Sequence, residues 1–247
     1  MLPTPIVSKI LIYPIKSCKP IFLQETSLTR LRSSLDDRQR VDDDLGVSAR
    51  AAKGLDLDDQ AATFFSDFLD FSCRLIHKSP DEVRAVKEHS PYIRRYGLYA
   101  HVDGLCGSFP ILALSEKSIQ DINSHLDDPV SVVNFRANLI IQGYGQPFEE
   151  DKWCEVDIAG ITFYFTCRCP RCSMPNINVD TAVKDKIRLQ RTPQSIRRVD
   201  QGKMARYKAC VGMNVVPSKT SGTVRVGHAL IVKSAYQGER LRTGEKR

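Results

Sequence analysis

Short runs of alternating apolar and polar residues dominate the chain, a pattern typical of β-strands. The first run, 6–13, predicts a strand with Ile6, Ile10 and Ile12 on one face that ends at Pro14. The other predicted strands cover residues 21–28, 73–77, 110–114, 138–142, 154–158, 161–166, 211–216, 223–226 and 229–232. The strands 154–158 and 161–166 are predicted to form a β-hairpin, because only Ala159-Gly160 separates their alternating patterns.

Two segments follow a helical period instead. Between Asp58 and Asp70 apolar residues recur at the spacing of one helix face, and Asp58 or Asp59 can cap its start. Its stripe is expected to pack in the core and consists of Ala61, Phe64, Phe65, Phe68 and Leu69. Ser115 is predicted to start a second helix. The core face of that helix is predicted to be Ile119, Ile122 and Leu126.

Many short strands with two helices indicate an α+β protein that is predominantly β and resembles a barrel. The charged stretch 36–44 has neither period and is predicted to be a loop. Residues 79–106 are polar and irregular, which places a domain boundary near residue 88. The last dozen residues are predicted to form a frayed basic tail.

Charge is distributed unevenly along the 247 residues, whose net charge is +7. Residues 184–247 contain 16 basic and 4 acidic residues, a balance of +12, whereas residues 1–183 contain 20 and 25, a balance of −5. A basic region of this kind is typical either of a solvated surface or of a protein with a phosphate-bearing partner. We expect no nucleic-acid binding, because residues 184–247 lack interleaved aromatic and basic residues.

The cysteine content and the N-terminal residues indicate an intracellular protein. Pro3 and Pro5 interrupt the region where a secretory signal would be apolar, and no apolar stretch approaches 18 residues. Eight cysteines without such a signal favour a reducing compartment, in which thiols are free, metal-bound or catalytic. We therefore expect a cytoplasmic or mitochondrion-associated protein without a visible signal or anchor.

A cysteine cluster at the end of the predicted hairpin is the most informative segment. Cys167, Cys169 and Cys172 lie within six residues, so their thiols can converge on one point. Arg168 and Arg171 flank them, and a neighbouring guanidinium favours the thiolate that binds metals or reacts. We therefore expect Cys172 to be a metal-binding or redox-reactive thiolate.

Several chemistries can use such a cluster. A structural zinc site needs four ligands, and the chain has no second C-x-x-C pair. A redox dithiol of the thioredoxin type opens a helix within a βαβ unit, whereas this cluster follows a hairpin. A single thiolate can bind a soft metal centre. The remaining interpretation is buried, inert cysteines, which the two arginines disfavour.

Four ordered motifs resemble those of MOSC-domain proteins that carry an extra N-terminal β-barrel domain, above all the mitochondrial amidoxime-reducing component family. The motifs are IYPIKSC at 12–18, NFRAN at 134–138, FEEDKW at 148–153 and CPRC at 169–172. The resemblance is continuous from about residue 108 to 232 and fragmentary before that. It implies a MOSC β-barrel with flanking helices over 89–235 and an N-terminal barrel-like domain over 1–88, with 236–247 as the tail.

The resemblance implies a molybdenum cofactor, in which a pterin dithiolene holds the metal and carries a phosphate. Cys172 would be the metal ligand and the catalytic residue, and molybdenum is thiophilic. An ammonium, a hydroxyl and a guanidinium all suit a phosphate, and an amide can bind pterin edges. The cofactor-binding residues it implies are Lys16, Ser17, Arg38, Ser108, Arg136, Asn138, Arg171 and Asn214.

The activity that the resemblance implies is reduction of N-hydroxylated compounds such as amidoximes. Electrons would come from a b-type cytochrome and its NADH-dependent reductase, because the chain has no nicotinamide or flavin motif of its own. The family has more strands in the region corresponding to 39–57, so the N-terminal barrel is expected to be shortened. A cofactor or sulfur carrier without turnover, or an inactive variant, are the alternatives.

Overall fold

The computed structural model describes residues 4–15, 18–28, 54–78, 109–143, 145–184, 196–200 and 205–236. The strands are β1 (Ile6–Ile12), β2 (Ile21–Leu23), β3 (Glu25–Ser27), β4 (Gly54–Asp56), β5 (Ile76–Lys78), β6 (Ile111–Ser115), β7 (Leu139–Gln142), β8 (Trp153–Ile158), β9 (Ile161–Pro170), β10 (Cys210–Pro217), β11 (Thr223–Arg225) and β12 (Leu230–Ala235). The helices are α1 (Asp59–Leu69) and α2 (Glu116–Asn123), with 3-10 turns at Val132–Phe135, Glu149–Lys152 and Met174–Asn176. The predicted α+β class with predominant β-structure is confirmed.

Eight strands form one sheet in the order β12-β8-β9-β10-β6-β7-β1-β2. Only the pair β6–β7 is parallel; the other neighbours in this sheet are antiparallel. The segments at its two ends nevertheless meet, because the Leu230 N–H donates to the Pro5 carbonyl at 2.7 Å and the Val7 N–H to the His228 carbonyl at 2.9 Å. The sheet must therefore curl until β12, at one edge, approaches β1, next to the other edge.

Both faces of the central strands are buried. In β6, Ile111 and Ala113 belong to the core inside the curled sheet, whereas Leu112 and Leu114 belong to a second core. α2 covers this second core with Ile119 and other side chains, as its sequence predicted. The period of two residues thus supplies apolar groups to two layers, which is why these strands are almost continuously hydrophobic.

β1 is correctly predicted, but its inward face differs by one position at its start. The register with β7 shifts between Val7 and Lys9, and this irregularity inserts one extra residue into β1. As a result Val7, rather than Ile6, joins Ile10 and Ile12 in the core inside the sheet. Strict alternation cannot anticipate such a bulge.

α1 begins and ends close to the predicted positions, but its phenylalanine stripe is not core. The Asp58 carboxylate caps the start by accepting from the Ala61 N–H at 2.6 Å, and Asp70 ends the helix with φ 55°. Phe64 and Phe68 are 63% and 77% exposed, so the predicted burial of the stripe is wrong. A helical period specifies which residues share a face but not what covers that face.

The hairpin is confirmed and is longer than predicted. β8 and β9 pair from Glu155 to Ile158, and the turn residues Ala159 and Gly160 have φ 53° and 73°. Two successive positive φ values are those of the tight turn that matches strand twist. β9 then continues beyond the predicted end to Pro170, so the first two cysteines of the cluster belong to the strand.

Several predictions concern residues outside the described part of the chain. They concern the charged loop 36–44, the boundary near residue 88 and the tail beyond residue 236. Of the shortened region 39–57, residues 39–53 are also outside the described part. The division into domains 1–88 and 89–235 therefore stays a prediction. Among the described residues, no helix combines the length and the apolar character needed to cross a bilayer.

Candidate functional site: an exposed thiol beside a basic cleft

β9 carries the three clustered cysteines into different environments. Cys167 is buried and Cys169 half-buried within the strand, whereas Cys172 lies two residues beyond its end and is exposed. Within the described ranges, no group of three or more His, Cys, Asp or Glu side chains is arranged to hold a metal ion. The three thiols are therefore not one ligand set, and of these three Cys172 is the one that a molecule from solution can reach.

Arg171 fixes the segment immediately before Cys172. Its Nη2 donates to the Phe135 carbonyl at 2.7 Å, and its Nη1 contacts the Cys169 Sγ at 3.1 Å. Its backbone N–H donates to the Ala209 carbonyl at 2.8 Å, which extends the pairing of β9 with β10. The guanidinium thus joins the end of β9 to the 3-10 turn Val132–Phe135.

Arg136 follows that turn and adopts the left-handed conformation with φ 51°. Its guanidinium carbon lies 4.2 Å from the centre of the Tyr13 ring, and its Nη1 donates to the Cys18 carbonyl at 3.0 Å. Burial raises the pKa of Tyr13 far above its usual range, and the cations Arg136 and Arg171 partly oppose that shift. Both predicted arginines therefore lie near one buried phenol at the end of β1.

A cleft of about 270 Å³ opens beside these groups. Arg136 and Lys19 contribute its cations, and the exposed Cys18 lies next to Lys19 in the chain. The remaining lining comes from the 3-10 turns Val132–Phe135 and Met174–Asn176 and the loop that follows the second of them. The lining residues are Cys18, Lys19, Val133, Asn134, Arg136, Met174, Ile177, Asn178, Val179 and Ala182. Cys172 is not itself a lining residue, but it precedes the lining residue Met174 by two positions in the chain.

Two buried donors near Cys172 lack partners among the described residues. They are the Nε of Arg171 and the Nδ2 of Asn176, whose residue is only 4% exposed. A buried N–H without an acceptor costs free energy, so such groups are uncommon unless a ligand or water completes them. Asn176 was not predicted as a site residue, since nothing in its local sequence distinguishes it from a turn residue.

Asn138 has a different environment from Arg136, although both occur in one motif. Its side chain is 0% exposed and bridges two strands, accepting from the Leu112 N–H at 3.0 Å and donating to the Leu11 carbonyl at 3.2 Å. These bonds fill the gap where the parallel strands β6 and β7 begin beside β1. Its assignment as a cofactor-binding residue stays a prediction.

The other predicted site residues lie apart or cannot be located. The Nδ2 of Asn214, in β10, lies 3.5 Å from the Cys167 Sγ and 3.4 Å from the Arg168 carbonyl, so this amide adjoins the buried thiol. Four predicted residues lie outside the described residues: Lys16, Ser17, Arg38 and Ser108. Lys19, close to the first two in sequence, pairs with Asp180 at 2.8 Å on the surface.

A buried ionic cluster includes Arg168, a residue of the cysteine strand β9. One carboxylate oxygen of Asp151 accepts from Arg168 at 2.9 Å and from Arg197 at 2.6 Å. Arg197 also donates to the Cys210 carbonyl at 2.9 Å and stacks on the Phe148 ring at 3.8 Å. The cluster ties β9 to β10 and to the 3-10 turn Glu149–Lys152, and its separations of 17 and 46 residues hide it from sequence patterns.

Glu150, the neighbour of Asp151, is a fully buried carboxyl group. It accepts from the Ser118 hydroxyl at 2.7 Å and from the Ser115 N–H at 3.1 Å, while its Oε2 has no partner among the described residues. Burial, together with the Asp151 charge, raises its pKa to about 7. Burial likewise raises the pKa of the Cys210 thiol to about 12, which keeps that thiol protonated and unreactive.

The fold and the site define a β-rich protein with a basic cleft that the exposed Cys18 lines, and with a second exposed thiol, Cys172, two residues before the lining residue Met174. The MOSC domain family model matches residues 73–231, which is more than half of the chain. The chain therefore belongs to the MOSC family, as its four motifs predicted.

The chain is similar in sequence to mitochondrial amidoxime-reducing components. The chain is 33% identical over 178 residues to the mouse (Mus musculus) component 1, covering 71% of this chain and 51% of that protein. It is 32% identical over 178 residues to component 2 of Bos taurus, covering 71% and 52%. The chain thus spans about half the length of the relatives it matches.

Similarity to solved structures is weaker. The YuaD protein of Bacillus subtilis aligns with 93% of this chain and 96% of its own at 11% identity, with a TM-score of 0.39. At that score the alignment carries no inference about fold or function.

Proposed function

We propose that this chain is a molybdenum-cofactor-dependent oxidoreductase that reduces N-hydroxylated compounds such as amidoximes. The observation that carries the proposal is the exposed Cys172 thiol in a member of the MOSC family, close in sequence to a residue of the basic cleft. Arg171 and Asn176, on either side of it in the chain, each keep a buried N–H without a partner among the described residues. The names of its relatives support the choice of substrate class.

The residues at the site fit a pterin that carries a phosphate and a thiophilic metal. The exposed thiol of Cys172 suits the metal. Arg136 and Lys19 offer cations to a phosphate, and the surface pair of Lys19 with Asp180 is easily exchanged because exposed ion pairs contribute little stability. The unpartnered N–H groups of Arg171 and Asn176 suit acceptors on the pterin or its tail.

The chain's own residues bind and orient in this proposal. When bound, the cofactor supplies the two-electron redox couple. Arg171 keeps the Cys172 segment in position through its contacts with Phe135 and Cys169. The Tyr13 ring packs against the Arg136 guanidinium. Neutral Tyr13 does not compete with a bound anion for those cations, because burial raises its pKa.

The overall reaction is balanced with an external electron donor. An amidoxime takes up two electrons and two protons, its N–O bond breaks, and an amidine and water leave. We propose that a b-type cytochrome and its NADH-dependent reductase supply the electrons, one at a time. The substrate class comes from the names of the relatives. Both it and these partners are proposed for a chain that spans about half the length of those proteins.

The decisive experiment compares metal and pterin content in wild type, Cys172→Ala and the matched control Cys154→Ala. Cys154 is a half-buried thiol on β8, away from the cleft lining. We expect wild type and Cys154→Ala to hold about one molybdenum each, and Cys172→Ala about tenfold less or none. Equal molybdenum in all three proteins would exclude the proposed ligand, and bound molybdenum without amidoxime reduction would favour a carrier instead.

A further inference from the structure

A basic patch lies next to the Cys172 segment, on the two segments that precede β10. It consists of Arg198, Val199, Arg206, Tyr207 and Lys208, all of them exposed. In the described parts of these segments, 196–200 and 205–209, the exposed side chains carry three cations and no carboxylate. Asp200 is buried, and Arg197 points inward to Asp151.

Tyr207 organises the patch. Its ring is 67% exposed, and the guanidinium carbons of Arg206 and Arg198 lie 5.3 Å and 5.8 Å from its centre. Arg198 also donates to the Arg206 carbonyl at 3.4 Å. Side chains that are already oriented lose less entropy when a partner binds, and arginine with tyrosine is the composition typical of interface hot spots.

The patch adjoins the exposed thiol through the backbone. Arg171 donates its N–H to the Ala209 carbonyl at 2.8 Å, and Pro170 pairs with Cys210. Lys208 is therefore next in sequence to Ala209, whose carbonyl accepts from Arg171, the residue before Cys172. A protein bound to the patch would lie beside that thiol.

We propose that the basic patch docks the acidic face of a one-electron donor protein, a step that rests on the proposed function. Opposite charge attracts and orients the donor, and electron transfer requires it to dock close to the acceptor. Each docking oxidises one ferrous haem to ferric and delivers one electron, so two dockings supply the two electrons for one N–O cleavage. The two protons come from solvent.

β10 offers a matched pair of lysines for the test. Lys208 precedes this eight-residue strand and Lys219 follows it, so roughly 25 Å of strand separates the two. Both lysines are exposed, and replacing either by Glu changes the charge by the same amount. Lys208→Glu changes the patch, whereas Lys219→Glu alters the net charge equally at the far end. Neither residue belongs to the cleft lining.

The measurement is the rate at which each protein oxidises the reduced soluble haem domain of an acidic b-type cytochrome. At low salt we expect Lys208→Glu to lower the second-order rate constant about three- to tenfold, and Lys219→Glu less than about twofold. The difference should shrink near about 0.5 M salt because the charges are screened. Arg198→Glu with Arg206→Glu should give a larger loss.

Three outcomes would overturn the docking proposal: equal slowing by both lysine variants, no slowing by either, or loss of binding to phosphatidylserine vesicles without loss of electron transfer. Amidoxime reduction driven by dithionite tests the proposed function separately and should not respond to Lys208→Glu. Calorimetric binding of the oxidised haem domain needs no turnover. Binding that weakens in Lys208→Glu therefore supports the docking surface even if the reductase activity is absent.

Discussion

Two pairs of arginines near the cysteine strand differ in their partners. Arg168 and Arg197 share one oxygen of the buried Asp151 carboxylate. Arg136 and Arg171 instead bond backbone carbonyls and lean on aromatic rings, and Arg171 retains a buried N–H without a partner among the described residues. The first pair has its charge neutralised within the fold, whereas Arg171 keeps capacity for an anionic ligand.

This difference separates structural from binding roles for residues of one type. Guanidinium groups that converge on one carboxylate hold strands together but have little left to offer a ligand. A guanidinium held by a neutral carbonyl, such as that of Arg171, keeps its positive field for an anion. The comparison predicts different consequences for variants of the two regions.

The largest effect is expected at Asp151. Asp151→Ala leaves two nearly buried guanidinium groups without their shared carboxylate, which should lower the free energy of unfolding by about 3–5 kcal/mol. Urea unfolding monitored by circular dichroism measures this change. Asp151→Asn, which keeps an acceptor but loses the charge, should fall between wild type and Asp151→Ala.

Asp157→Ala is the matched control for Asp151→Ala. Asp157 also accepts from a cation, Lys233 at 2.9 Å, but that lysine is well exposed. Exposed pairs contribute little, so its loss should cost about 1 kcal/mol or less. If Asp151→Ala and Asp157→Ala were equally destabilised, the buried Asp151 cluster would contribute no more to stability than an exposed ion pair.

An intermediate effect is expected within the NFRAN motif. Asn138→Ala leaves the Leu112 N–H and the Leu11 carbonyl without side-chain partners and should cost about 1–3 kcal/mol in unfolding free energy. Arg136→Ala removes the bond to the Cys18 carbonyl and the contact with the Tyr13 ring, two contacts that together contribute about 1 kcal/mol. Its main consequence should be weaker retention of the cofactor.

Thermal unfolding together with molybdenum content separates these two roles. We expect Asn138→Ala to lower stability more than Arg136→Ala, and Arg136→Ala to lower molybdenum content in protein that remains folded. A stable Asn138→Ala protein that has lost its cofactor would reverse the comparison. It would instead support the direct cofactor contact that the resemblance implies for Asn138.

Local features of the fold were predictable from the sequence, and features that depend on distant contacts were not. The hairpin, its Ala159-Gly160 turn and the caps at Asp58 and Ser115 depend on adjacent residues, and all are confirmed. The exposed stripe of α1 was not predictable, because a periodic pattern does not specify what covers it.

The candidate site was predictable in part for the same reason. The position of Cys172 follows from the hairpin that leads to it, whereas the binding roles of Arg136 and Arg171 were implied by the resemblance of their motifs to the family. The Asn176 amide and the Asp151 cluster depend on tertiary packing of segments far apart in the chain. Asn138 has the residue type of a ligand, yet its amide bonds show how one polar residue can instead complete a sheet.

A further expected effect concerns Glu150, next to Asp151, and appears only as pH changes. Its carboxyl titrates near the ordinary 4.5 when unfolded and at about 7 when folded. The folded state therefore binds more protons between these values, and its stability falls as pH rises through them, by at most about 1.4 kcal/mol per pH unit. Below pH 4.5 the contribution is fully present, and above about 7 it is lost.

Glu150→Gln removes this titration while keeping an acceptor for the Ser118 hydroxyl and the Ser115 N–H. Urea unfolding at pH 5 and pH 8 should show wild type losing roughly 1–3 kcal/mol more than the variant over this interval. Asp157→Asn serves as the control, because the pKa of Asp157 is lowered by Lys233 and its stabilising charge is present at both pH values. Parallel losses in wild type and Glu150→Gln would mean that the carboxyl is already ionised in the folded protein. Glu150 and Asp151 would then both be charged in the folded protein, and the contrast between a neutral and a charged buried carboxyl at these two positions would be wrong.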